Sequence, residues 1–204
     1  MREAIGATWI FGIVIVFIVV FTGYLAFSVN YAKAFAMKDS IIDIIEKHNG
    51  PGGITGEDHT SESAPGLVLN EVNEKMQVIN YYAKGNCKTV ADAMRKTMTD
   101  AAAADKLYKY VMGVTNSKAY TMMNKHDSYF AKRKYNYCII RQDQDALDDH
   151  SIGFSNYYVA TFFSININMI NIIKVDFNFF VTGQTKNIAY PIDGFFKRNT
   201  EEYE

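Results

Sequence analysis

The chain has 204 residues, with 21 basic and 22 acidic side chains. That length suits one membrane anchor and one domain of ordinary size; two full domains plus an anchor would be crowded. The balanced charge argues against a nucleic-acid surface, which shows as a basic excess, and 14 Phe and 14 Tyr beside only 3 Pro exclude a disordered bulk.

The first element is apolar. No charged residue lies between Ala4 and Ala32, and Trp9 to Phe21 is almost purely aliphatic and aromatic. A bilayer core of about 30 Å needs roughly 20 apolar residues in a helix, and this run meets that. Trp9, Phe11, Val16, Phe21 and Tyr24 are the expected anchor residues, with Trp9, Tyr24 and Tyr31 placed for the two interfaces. A cleaved signal is the rival reading. Its apolar stretch would be about 7–15 residues behind a basic start, whereas here Arg2 is offset by Glu3. Thr8 with Gly12, and Thr22 with Ala26, are small residues four apart. Such pairs let helices approach closely in lipid.

The helix is expected to continue past the lipid to about residue 48. Phe35, Ile41, Ile42, Ile44 and Ile45 form the expected inward stripe, and Lys38, Asp39, Asp43, Glu46 and Lys47 the outward one. Asn49-Gly50-Pro51 then stops it. Residues 49–66 are rich in Gly and Ser and read as a flexible loop, followed by an α+β domain over 67–204.

That domain is expected to open with a helix over 67–83, carrying Leu69, Val72, Met76, Ile79 and Ala83 at spacings of three and four. A third helix is expected from a Thr89 cap to Met112, ending at Gly113. The period then changes. Tyr135–Arg141, Tyr158–Asn168 and Ile173–Thr182 read as strands with one buried face. In the second of these Val159, Thr161, Phe163, Ile165 and Ile167 share that face. Short connections imply an antiparallel sheet of three or more strands.

Cys87 and Cys138 are single and far apart, which fits no metal pattern. A pair in a membrane-attached domain suggests a disulfide outside the cytoplasm; two buried free thiols are the alternative. Arg2 favours an inside N-terminus, while Lys33 and Lys38 oppose it. The cysteines tip the expectation to a cytoplasmic N-terminus and an extracytoplasmic domain.

Catalytic and cofactor signals are weak. Asp143-Gln144-Asp145-Ala146-Leu147-Asp148-Asp149-His150 resembles an oxygen-rich calcium loop, but Leu147 stands where a further alternating ligand belongs and no Gly follows, so a solvated loop between strands is the expectation. His48, His59, His126 and His150 lack ligand spacing. The Gly-rich stretch Gly50–Gly56 lacks the Gly-Lys-Ser/Thr of a phosphate loop. Lys132-Arg133-Lys134 is too short for a nucleic-acid footprint and reads as a solvated face, or one near anionic lipid. The expectation is no enzyme, no metal and no cofactor.

A long N-terminal helix, half apolar and half amphipathic, ahead of an antiparallel sheet is the layout of type IV pilin-like proteins. The stretch Gly6-Ala7-Thr8-Trp9-Ile10-Phe11-Gly12-Ile13-Val14 resembles the start of TadE-like minor pilins of the bacterial tight-adherence pilus. The likeness extends over residues 4–35, and in rhythm over the strand pair of 157–188. Pilins of this broad class are cut after a Gly and carry Glu at the fifth mature position. Counted from Gly6, that position is Phe11. The resemblance therefore implies a pseudopilin-like accessory subunit kept in the membrane, whose partners are lipid and other membrane or pilus subunits. The alternative is an extracytoplasmic ligand-binding or sensory module acting through a partner.

Overall fold

The computed structural model describes residues 2–50, 65–97, 111–114, 120–123, 132–144, 152–169 and 173–191. The expected loop lies outside these residues over 51–64, as do the acidic segment from Asp145 on, His59, His126, His150 and Ala101 to Ala104.

The architecture is α+β: a long helix, two shorter helices and an antiparallel sheet. Helix α1 spans Arg2–Lys47 without interruption, followed by α2 (Pro65–Ile79) and α3 (Cys87–Thr97). The strands are β1 (Val111–Val114), β2 (Tyr120–Met123), β3 (Tyr137–Gln144), β4 (Ile152–Met169), β5 (Ile173–Gln184) and β6 (Ile188–Pro191). Among the described residues the sheet runs β2-β1-β3-β4-β5, with β6 also on β4.

Each helix ends for a local reason. At the end of α1, Asn49 and Gly50 take positive φ (54° and 130°), and the Gly50 amide donates to the Ile45 carbonyl at 2.8 Å. This left-handed stop satisfies carbonyls that the last turn would leave bare. Asn80, also left-handed at φ 56°, closes α2 at Ile79, short of the expected residue 83. Pro65 opens that helix, where a missing N–H costs nothing. The cap of α3 is Asn86 and not Thr89: its Oδ1 accepts from the amides of Lys88 (2.8 Å) and Thr89 (3.4 Å).

The sheet departs from expectation in two ways. Helix α3 is described to Thr97, the rest of the expected helix over 98–110 lies outside the described residues, and Val111 to Val114, at the expected helix end, form a strand between β2 and β3. Gly113 lies in that strand because a Cβ there would sit 2.4 Å from the Tyr135 ring. Secondly, β4 is covered on both faces over its middle. Tyr157, Val159 and Phe163 join a core with Ala34, Met37, Ile41, Ile44 and Ile45 of α1 and Val68, Val72 and Met76 of α2. On the reverse face Ala160 and Phe162 pack with Cys138, Ile140, Tyr135 and with Cys87, Val90 and Ala91 of α3. The expectation of one buried face fails there because α3 returns over the sheet. The result is three layers, α1 and α2 on one side and α3 on the other.

Strand β5 passes into β6 through a bulge. Gln184 pairs with Tyr158 and Ile188 with Ser155, so residues 185–187 face only 156–157. Thr185 Oγ1 accepts from the Tyr157 amide at 3.0 Å, and the Thr185 amide donates to the Tyr157 carbonyl at 2.9 Å, closing the gap.

Candidate membrane anchor and aromatic collar

Helix α1 has two environments along one rod. From Trp9 to Thr22 every residue is exposed, and the stretch is long and apolar enough to cross a membrane. The five expected anchor residues all lie in this exposed helix, with Trp9 the most open at 73% and Phe21 at 52%. Exposing so many large apolar side chains to water is unfavourable by about 1.5–3 kcal/mol each, so the segment fits an apolar surround.

Of the expected helix-association residues, Gly12 has open space where a Cβ would stand. Thr22 satisfies its hydroxyl within α1 by donating to the Ile18 carbonyl at 2.7 Å. Ala26 is exposed, and Thr8 belongs to α1 with its side chain outside the described set. Gly12, Thr22 and Ala26 are all exposed, which leaves them accessible to a neighbouring helix.

Burial then begins along one stripe: Gly23, Phe27 and Asn30 are half-buried, and Ala34, Met37, Ile41 and Ile44 are buried. These alternate at spacings of four and three, the period of a single helix face. The stripe differs from the expected one at two positions. Phe35 is 42% exposed and Lys38 only 7%. The reason is Gly183 of β5, where a Cβ would come within 2.8 Å of Lys38 Cδ and 2.7 Å of Ile42 Cδ1. The missing side chain makes room for the lysine stem. Lys38 then carries its ammonium outward, to 2.8 Å from Asp39 Oδ1 and 3.8 Å above the Phe35 ring.

At the junction of exposed and buried helix sits an aromatic cluster. Phe27 meets Phe163 edge-on at 5.5 Å and Phe179 at 6.3 Å, and Tyr31 meets Phe163 at 5.7 Å. Phe163 stacks on Phe179 at 5.2 Å, and Phe179 on Phe177 at 6.1 Å. Such pairs add about 0.5–1.5 kcal/mol each beyond burial. Sequence reasoning missed this collar, because Phe27 and Phe163 are far apart along the chain. Asn30 Nδ2 reaches the Ser164 carbonyl at 3.5 Å on the same border.

The expected pair Cys87 and Cys138 forms a disulfide, with the two Cα atoms 5.7 Å apart. It ties the start of α3 to β3 in the second core. Nearby, Tyr81 fills the place where β3 has run out. β3 begins opposite Thr161, and one residue on the Tyr81 hydroxyl accepts from the Phe162 amide at 2.7 Å. That hydroxyl lies 2.8 Å from the Asn136 carbonyl and 3.0 Å from the Phe162 carbonyl, either of which takes its proton. Burial pushes the phenol pKa well above its ordinary value.

At the far end of α1, Glu71 of α2 takes a hydrogen bond from His48 at 2.9 Å and an ion pair from Lys47 at 2.9 Å. His48 first, then Lys47, hold its carboxyl below the usual carboxylate range. Arg133 lies 5.8 Å from the Tyr135 ring centroid and is half-buried, while Lys132 and Lys134 are exposed. Among the described residues no group of three or more His, Cys, Asp and Glu side chains is gathered to hold a metal.

Comparison with family models, with curated proteins and with solved structures finds no match to this chain.

Proposed function

We propose that this chain is a non-enzymatic structural or accessory subunit of a bacterial surface pilus or secretion apparatus, held in the cell membrane by α1 with its N-terminus cytoplasmic and its α+β domain extracytoplasmic. One observation carries the reading: a single unbroken helix is exposed and apolar over Trp9 to Phe21 and packs one stripe against an antiparallel sheet over its second half. A lone span would need no such continuation. A subunit that must project a domain at a fixed height and angle from the lipid does. The exposed flank with Gly12, Thr22 and Ala26 is then the surface for other subunits' helices. The Cys87–Cys138 bond supports the oxidising side of the membrane for the domain.

Two measurements test this. On intact cells, a membrane-impermeant thiol reagent labels a cysteine placed at the exposed Lys186 (Lys186→Cys) without permeabilisation, the native Cys87 and Cys138 being buried. Labelling that requires permeabilisation puts the domain in the cytoplasm and removes the pilus reading. Mild crosslinking in the membrane recovers the chain with other envelope subunits; recovery of the chain uncrosslinked at every dose argues against a structural role.

A further inference from the structure

We infer that the distal half of the β4–β5 ribbon is a second membrane-contacting element, lying in the lipid headgroup and upper acyl region beside the anchor, with Phe177 and Phe179 at its root. The inference rests on the anchor reading of α1.

Direction comes first. Along α1, Glu46 meets Lys186, Ile42 and Lys38 meet Gly183, and Phe27 meets Phe179. Going back along β5 therefore means going toward the apolar half of α1. Among the described side chains the α1 contacts reach back to Phe27, and the ladder continues to the Met169–Ile173 pair. From Phe163 to Met169 is about 20 Å at roughly 3.3 Å per residue. A span of roughly 20 residues ending near Tyr24 puts the lipid surface at the level where this extension begins.

Chemistry comes second. Beyond the collar the register joins Ile165 to Phe177, Ile167 to Val175 and Met169 to Ile173. The intervening pairs are Ser164 with Asn178, Asn166 with Asp176 and Asn168 with Lys174. Successive pairs alternate between faces, so one face is apolar throughout and the other polar throughout. The apolar one is the face that packs on α1 further back. Of the described side chains on its outer part, Phe177 and Phe179 are 46% and 40% exposed.

Depth comes third. β3 ends its pairing at Thr161, so from Phe162 onward the ribbon has two strands among the described residues. Alone in water such a ribbon is marginal, which calls for a cover on its apolar face. Its open edges cannot enter the hydrocarbon core, where unpaired backbone groups are costly. A ribbon that leans away from α1 beyond Phe27 and lies across the interface, about 5–10 Å deep, satisfies both demands. Lys174 and Asp176 then fall on the watery side.

The experiment uses full-length protein in phosphatidylcholine vesicles whose acyl chains carry bromine, a contact quencher of indole. The chain has one Trp, Trp9 in α1, which reports on the anchor. With Trp9→Phe as background, Phe177→Trp reports on the ribbon and Lys186→Trp on its far end. Val175→Trp, on the same face as Phe177, replaces Phe177→Trp should that variant lose its thermal unfolding transition. The expected result is loss of most of the intensity for Trp9 and for the tryptophan at 177, and little loss at 186. Quenching of Trp9 without quenching at 177 leaves the anchor standing and overturns the ribbon's lipid contact. A blue-shifted but unquenched signal at 177 also overturns it, because the cover is then protein. No quenching of Trp9 overturns the anchor reading itself.

Discussion

Thr161 and Ala34 join the sheet to the long helix. The threonine Oγ1 donates to the Ala34 carbonyl at 2.7 Å across 127 residues of sequence, with both residues fully buried. The carbonyl belongs to a helix that already uses it within α1, so the bond is an additional cross-brace at the level where burial begins. Thr161→Val keeps the shape and removes the donor. The expected loss is about 1 kcal/mol, read as a lowered thermal midpoint in detergent. A larger drop would mean that the hydroxyl orders the helix–sheet contact as well.

Tyr81→Phe should cost more. It strips the Phe162 amide of its hydroxyl partner in a buried place just beyond the end of β3. Leaving a buried N–H unsatisfied costs about 1–3 kcal/mol. Denaturant unfolding of the reconstituted protein measures it, and an unchanged midpoint would show that another group takes over.

Two glycine substitutions should differ sharply. A Cβ at Gly85 would lie 2.0 Å from Phe162 Cδ1, a ring fixed in the second core. A Cβ at Gly183 would press on the ends of Lys38 and Ile42, which can swing aside. Overpacking costs about 1–3 kcal/mol, and Gly85→Ala should fall at or above the top of that range while Gly183→Ala falls near the bottom. Equal losses would refute the role given to side-chain freedom.

The Glu71 pairing predicts an acid-sensitive increment. A carboxyl whose folded pKa is depressed stabilises above its ordinary value of 4.5 and stops doing so as pH falls through the folded value. Wild type should therefore exceed Glu71→Gln in thermal midpoint near neutral pH, and the gap should close as pH falls below 4.5 and through the folded value. A gap independent of pH would assign the effect to packing.

Opening the Cys87–Cys138 bond frees a loop with a separation of 51 residues. Chain entropy puts the cost at about 4 kcal/mol. Reducing agent or the double Ser variant should lower the unfolding midpoint accordingly, and α3 should be the first element to lose amide protection.

Much of this fold was legible in residue order. The alternation in β4 and β5, the apolar first half of α1 and the Asn49–Gly50 stop all follow from side chain and spacing. Other features depended on partners distant in sequence. Lys38 looks like a solvent residue until Gly183 supplies the space for its stem. Ala160 and Phe162 look like an outer face until α3 folds back on them. Val111 to Val114 follow good helix formers, and only pairing to β3 makes them a strand. The collar was invisible for the same reason: each aromatic residue is unremarkable by itself, and the site exists only once α1 and β4 are side by side.

Helix α1 runs from Arg2 to Lys47 without a proline or a break. The domain is therefore fixed to the first half of the helix as a blade is fixed to a shaft. Rotating the exposed segment about its axis swings the sheet through the same angle, and sliding it lengthwise raises or lowers the domain by the same distance, about 1.5 Å for each residue of slip. Any force that neighbours apply to the shaft reaches the sheet as torque or thrust, with no slack to absorb it.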